Sequence, residues 1–163
     1  MFLFKSGKFH IEGLSFIIPD GYTLDTLDTE EEYQGSMKMV SPDGNIILAV
    51  RPIFCSEGST GIQLKAEGHF HDKLVNLADT FETIIPAAPI RRKHLTGYCA
   101  AYQTAGHRYR PGRQYYEELY DISLTPHELN FVEISVETTT DYTIQKALQD
   151  PQIVHFLAEL DED

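Results

Sequence analysis

The stretch Asn130-Phe131-Val132-Glu133-Ile134-Ser135-Val136-Glu137-Thr138 alternates residue by residue. Val132, Ile134 and Val136 point one way, and Glu133, Ser135 and Glu137 the other. A period of two is that of a β-strand, and its composition predicts one buried face, as in antiparallel sheets. Working upstream, Ile90–Leu95, Tyr98–Ala105 and Arg113–Leu124 read as further strands, with Thr96-Gly97 and Arg110-Pro111-Gly112-Arg113 as turns between them. Tyr33–Val40 and Asn45–Phe54 flank Ser41-Pro42-Asp43-Gly44, which predicts a hairpin. Before that, Phe9–Ile11 and Leu14–Ile18 are extended in character, and Pro19-Asp20-Gly21 supplies turn chemistry.

Two segments carry helical periodicity instead. Ile62, Ala66, Phe70, Leu74, Leu77 and Phe81 fall on one helical face, with Ser59 to Gly61 as caps and Pro86 as a stop. Near the other end, Asp141 is placed to cap a turn carrying Ile144 and Leu148. Asp150-Pro151 then restarts a helix whose buried stripe is Ile153, Phe156, Leu157 and Leu160. These elements predict an α+β fold over one domain, residues 1–163: an antiparallel sheet flanked by helices, in the order β-β-β-β-α-β-β-β-β-α.

Composition bounds the function. The 163 residues carry a net charge of −12, which disfavours a nucleic-acid surface, since neutralising phosphates needs positive charge. No apolar run is long enough for a membrane span, and Met1–Lys5 is charged too soon for a secretion signal, so a cytoplasmic location with no membrane contact is expected. The two cysteines, Cys55 and Cys99, lie far apart without a CxxC. Cys99 falls in an expected strand and reads as a buried thiol.

The stretch Phe9 to Tyr22, with an apolar strand stopped by Pro19-Asp20-Gly21-Tyr22, and the turn Ser41 to Asn45 resemble PsbP-like domains, a superfamily that also holds the yeast Ran-release factor and DcrB-like bacterial proteins. Strands, one long helix, more strands and a terminal helix are similar to that layout over nearly the whole chain. The resemblance implies an α/β/α sandwich used for docking to proteins, without catalysis. It carries over no site residue, because the family shares no active-site motif. Unlike many bacterial members, the chain is expected to carry no signal peptide or lipobox cysteine.

Charge is unevenly placed. Thr83 to Tyr116 holds six basic residues and no acid, whereas Glu117 to Asp163 holds twelve acids and one lysine. Two candidate binding stretches follow. One is the expected hairpin loop with His107, Arg108, Tyr109, Arg110, Arg113, Tyr115 and Tyr116, where guanidinium forks and tyrosines suit an acidic peptide, a phosphate or a carboxylate. The other is Arg91, Arg92 and Lys93. The alternative is that these arginines pair with the chain's own acids, Glu117 and Glu118 included. Those two carboxylates do not converge, because strand neighbours face opposite sides. His69 and His71, two apart on a helix, cannot readily share an ion. No GxSxG, Walker, GxGxxG or HExxH motif is present, so no catalytic residue, metal or cofactor is assigned. The reading that results is a non-catalytic module docking another protein. A chaperone of secreted proteins and, less favoured, an enzyme acting on a small anion through Arg91 or Arg108 are the alternatives.

Overall fold

The computed structural model describes residues 3–5, 7–11, 13–28, 36–55, 81–105, 112–122, 129–139 and 141–162. The elements run β1 (Leu3–Lys5), β2 (Lys8–Ile11), β3 (Leu14–Phe16), β4 (Thr23–Asp28), β5 (Ser36–Val40), β6 (Ile46–Cys55), β7 (Phe81–Arg92), β8 (Leu95–Thr104), β9 (Gln114–Asp121), β10 (Leu129–Thr138), α1 (Ile144–Gln149), α2 (Pro151–Ala158) and β11 (Asp161–Glu162). They build two sheets: a small one in the order β1-β2-β3-β11, and a large one in the order β4-β5-β6-β10-β9-β8-β7. All pairings are antiparallel.

The α+β class and antiparallel sheet match the sequence. The expected order does not. Six strands rather than four precede residue 56, a second sheet is present, and the terminal helical unit is two short helices followed by a strand. β1, β4 and β11 are short or polar, so periodicity gives them no signal. The expected helix from Ile62 lies outside the described residues up to its last position. There Phe81 opens β7 instead.

β7 corrects two further expectations. Pro86 and Pro89 lie inside this strand, which is tolerated because β7 is the edge of the large sheet and needs no N–H on its outer side. The turn after it is Lys93-His94, with Arg92 opposite Leu95, not Thr96-Gly97. Gly97 is inside β8 and is a close-approach position: a Cβ there would stand 1.9 Å from the Leu119 carbonyl oxygen on β9.

The Ser41–Asn45 hairpin forms as read. Asp43 accepts from the Asn45 N–H at 2.9 Å and the Ser41 hydroxyl at 2.7 Å, and Gly44 takes the positive φ of +76° the turn demands. Thr143, rather than Asp141, caps α1 by accepting from the Lys146 N–H. Asp150 caps α2 from the position before Pro151, as expected.

One apolar cluster joins the elements. The inner face of the large sheet (Met37, Met39, Leu48, Val50, Val132, Ile134, Val136, Tyr116 and Tyr120) packs on Ile144, Ile153, Phe156 and Leu160 and on Leu14 and Phe16 of the small sheet. β10, however, is buried on both faces. Phe131 is 1% exposed and Glu133 6%, so the expectation of a single buried face is overturned. Leu119 and Phe131 form a second, smaller cluster on the outer face, and Arg51 pairs with Glu133 there at 3.3 Å. No helix among the described residues is long and apolar enough to cross a membrane.

Candidate functional site

The chemistry of the described residues gathers around β9, where Tyr116, Glu118 and Tyr120 share the inner face and Tyr115, Glu117 and Leu119 the outer. The cross-strand register brings Cys99 opposite Glu118 and places Arg92, at the end of β7, beside them. Glu118 has no exposed surface. Arg92 grips it with a fork: Nε to Oε1 at 2.8 Å and to Oε2 at 3.1 Å, and Nη2 to Oε2 at 2.8 Å. The Tyr116 hydroxyl donates to Oε2 at 2.5 Å, and the Tyr120 hydroxyl donates to Oε1. The carboxylate is thus fully engaged, as a buried charge must be.

The electrostatics follow from that geometry. Burial works against the Arg92 charge, but the hydrogen bonds and charge of Glu118 outweigh it and hold the guanidinium ionised beyond its ordinary range. Burial, then the neighbouring Glu118 charge, raises both Tyr116 and Tyr120 well above the usual phenol value. Burial also pushes the Cys99 thiol up, against the lowering effect of its bond with Tyr116, so the thiolate needed for nucleophilic chemistry is disfavoured.

The outer face carries a second polar network. Tyr102 donates to Glu117 at 2.7 Å and stacks on Tyr115 at 5.4 Å between centroids. Arg113 and Tyr115 both bond Glu137 Oε1, at 2.8 and 3.2 Å. Here too burial comes first and the Glu117 charge second in raising the Tyr102 phenol.

These tyrosines set an alkaline limit. Tyr102, Tyr116 and Tyr120, with Tyr22, which is raised mainly by burial, keep their protons in the folded chain far above pH 10, where an unfolded chain gives them up. A folded-state value above the unfolded one means that stability is fully present below pH 10 and falls as the pH rises past it. In an absorbance titration, four of the nine tyrosines should ionise only together with unfolding. Their smooth ionisation in the native state would contradict the burial described.

The basic stretches named from sequence are thus split. Arg92 and Arg113 are consumed by Glu118 and Glu137, the self-pairing alternative. Tyr115 and Tyr116 diverge to opposite faces. His107, Arg108, Tyr109 and Arg110 lie outside the described residues. Arg91 faces outward opposite Thr96, is exposed, and has no acidic partner among the described residues. Lys93 and His94 form the β7–β8 tip and touch the acidic C-terminal segment: Lys93 to Glu159 at 3.5 Å, His94 to Asp161 at 3.1 Å. β8 separates this tip from Arg113 by ten residues, about 30 Å at roughly 3.3 Å each, so Arg113 and the tip lie at opposite ends of the strand. Among the described residues no cluster of three or more His, Cys, Asp or Glu is arranged to hold a metal ion.

Sequence reasoning missed Glu118 as the centre of a network and Tyr120 as its member. The signal was present in Tyr116-Glu117-Glu118-Leu119-Tyr120, where period two puts both tyrosines on the Glu118 side.

The chain therefore has a mixed α+β fold in which a seven-stranded antiparallel sheet dominates. That fold is similar to the crystal structure of LpqN, involved in cell envelope biogenesis of Mycobacterium tuberculosis, with a TM-score of 0.55 and 11% sequence identity over 91% of this chain and 82% of that one. At such identity the likeness concerns the fold alone. No family model and no curated protein matches the chain, so the resemblance to PsbP-like domains is carried no further than an α+β fold.

Proposed function

We propose that this chain is a non-catalytic docking module for another protein, engaged through the β7–β8 tip by acidic groups of the partner. The observation that carries the reading is Arg91, exposed and without an acidic partner among the described residues, beside Lys93 and His94, whose own pairs are largely solvated. Exposed pairs of this kind are each worth about 0–1 kcal/mol, so a partner's carboxylates exchange with Glu159 and Asp161 at little cost. Lys93 also holds φ at +48°, a left-handed conformation costing a non-glycine residue roughly 1–2 kcal/mol, and such local strain concentrates at functional positions. The non-catalytic character is supported by the Arg92–Glu118 pair: its carboxylate is closed off from solvent and fully bonded, which suits a structural anchor better than a proton-transfer group. LpqN's part in envelope biogenesis is compatible with a docking role at this coarse level.

The test is affinity capture from source-cell extract with three proteins: the unaltered chain, an Arg91→Glu/Lys93→Glu variant, and an Arg108→Glu/Arg110→Glu/Arg113→Glu variant. Captured proteins are identified by mass spectrometry and re-measured as purified pairs. A partner retained by the unaltered chain and lost from the first variant is the expected result. Equal retention by the first variant refutes the tip, and loss confined to the second moves docking to the 107–113 loop.

A further inference from the structure

The small sheet ends in β1, whose outer edge has no neighbouring strand among the described residues. On one side of this edge Phe4 is 62% exposed, yet its ring lies 4.9 Å from Phe9, which stacks on Phe16 at 5.7 Å. Phe16 meets Phe156 of the core at 6.2 Å, so the aromatic ladder runs from the interior to an uncovered rung. On the other side Lys5 stands directly opposite Lys8 in the β1–β2 register, and neither ammonium has an acidic partner among the described residues. Like charges opposite one another destabilise a strand pair. In a chain of net charge −12 with twenty-five acidic residues, a lysine pair that no described acid answers breaks a local rule, and such breaks mark functional positions.

We propose that the outer edge of β1 docks an extended segment of a partner protein in which acidic and apolar residues alternate. The added strand would continue the small sheet through main-chain hydrogen bonds, with specificity read by alternate side chains. An apolar residue opposite Phe4 covers the last rung of the ladder, and the acidic neighbours, on the other face of the pleat, answer Lys5 and Lys8. Lysine on an edge strand is also a protection against aggregation, but that role asks for no exposed phenylalanine and does not explain Lys8, one strand in. An anionic membrane is disfavoured, because the acidic body repels the surface the two lysines would approach. This site uses none of the residues of the β7–β8 tip and stands or falls separately.

The probe is a labelled peptide, Glu-Leu-Glu-Leu-Glu, compared with Gln-Leu-Gln-Leu-Gln, followed by fluorescence anisotropy and by backbone NMR shifts of the full chain. The acidic peptide should shift Leu3–Lys5 and bind roughly tenfold more tightly than the amide peptide, the effect of two charge pairs. Lys5→Glu/Lys8→Glu and, separately, Phe4→Ser should each weaken binding by about the same factor. An Arg91→Glu/Lys93→Glu chain should bind as the unaltered one does. Circular dichroism of each variant establishes that it is folded. Equal affinity for both peptides, unchanged binding by the folded Lys5→Glu/Lys8→Glu chain, or association with phosphatidylserine vesicles in place of the peptide would each overturn the proposal.

Discussion

Glu118→Ala is expected to cost about 3–5 kcal/mol of folding stability, the usual range for removing one member of a buried ion pair. The loss has two sources. Arg92, half-buried beneath the β7–β8 tip, would keep its charge without a counterion, and the Tyr116 and Tyr120 hydroxyls would lose their acceptor. The two sources separate in a variant series measured by urea unfolding. Arg92→Met/Glu118→Leu removes both charges and should recover part of the stability, since apolar replacement of a buried pair is often neutral. Adding Tyr116→Phe and Tyr120→Phe should recover more, because the stranded hydroxyls go too. If Glu118→Ala alone costs less than about 1 kcal/mol, the network is not the anchor its geometry describes.

Gly97→Ala should be at least as damaging. The new methyl would fall 1.9 Å from the Leu119 carbonyl oxygen, 2.8 Å from its carbon and 3.0 Å from Tyr120 Cα, all of them backbone atoms that no rotamer change can move. Relief requires β8 and β9 to separate at the pair Gly97–Tyr120, next to the cross-strand pair Cys99–Glu118. A loss of about 3 kcal/mol or more is expected, against roughly 0.5–1 kcal/mol gained where alanine replaces glycine without strain. Thermal unfolding reads the difference, and a variant as stable as the unaltered chain would mean that the two strands lie further apart.

These two positions also show what the sequence could and could not say. Tyr116, Glu118 and Tyr120 were legible as a set, because period two fixes which strand residues share a face. That Arg92 closes on Glu118 depends on the β8 register that lies between them, and no local pattern encodes it. Gly97 reads from sequence as a turn residue and is not one: glycine marks turns and close approaches alike, and only the neighbouring strand decides between them. Pro86 reads from sequence as the stop of a helix, yet it and Pro89 lie within a strand that tolerates them because it is an edge. For β10 the alternation was read correctly and the burial was not. Glu133 is covered on a face that Phe131 and Leu119 make apolar, with Arg51 as its partner from β6. Of the named binding residues, Arg92 and Arg113 carry the right chemistry, but the chain's own carboxylates claim it first.

The placement of β10 between β6 and β9 bears on how the chain reaches this state. Arg51 and Glu133, which sit opposite each other, are 82 positions apart in sequence. The β5–β6 hairpin is local and can close early, yet its β6 flank has nothing to pair with until residues 129–138 arrive. Such delayed, long-range pairing slows folding, since the entropy of closing the chain is lost before the contacts form. During synthesis, at about 5–20 residues per second, Leu48 and Val50 therefore wait several seconds on an open strand. The central position that buries β10 on both faces also leaves the nascent N-terminal half with an open strand edge, the kind of surface prone to association, until the other half is made.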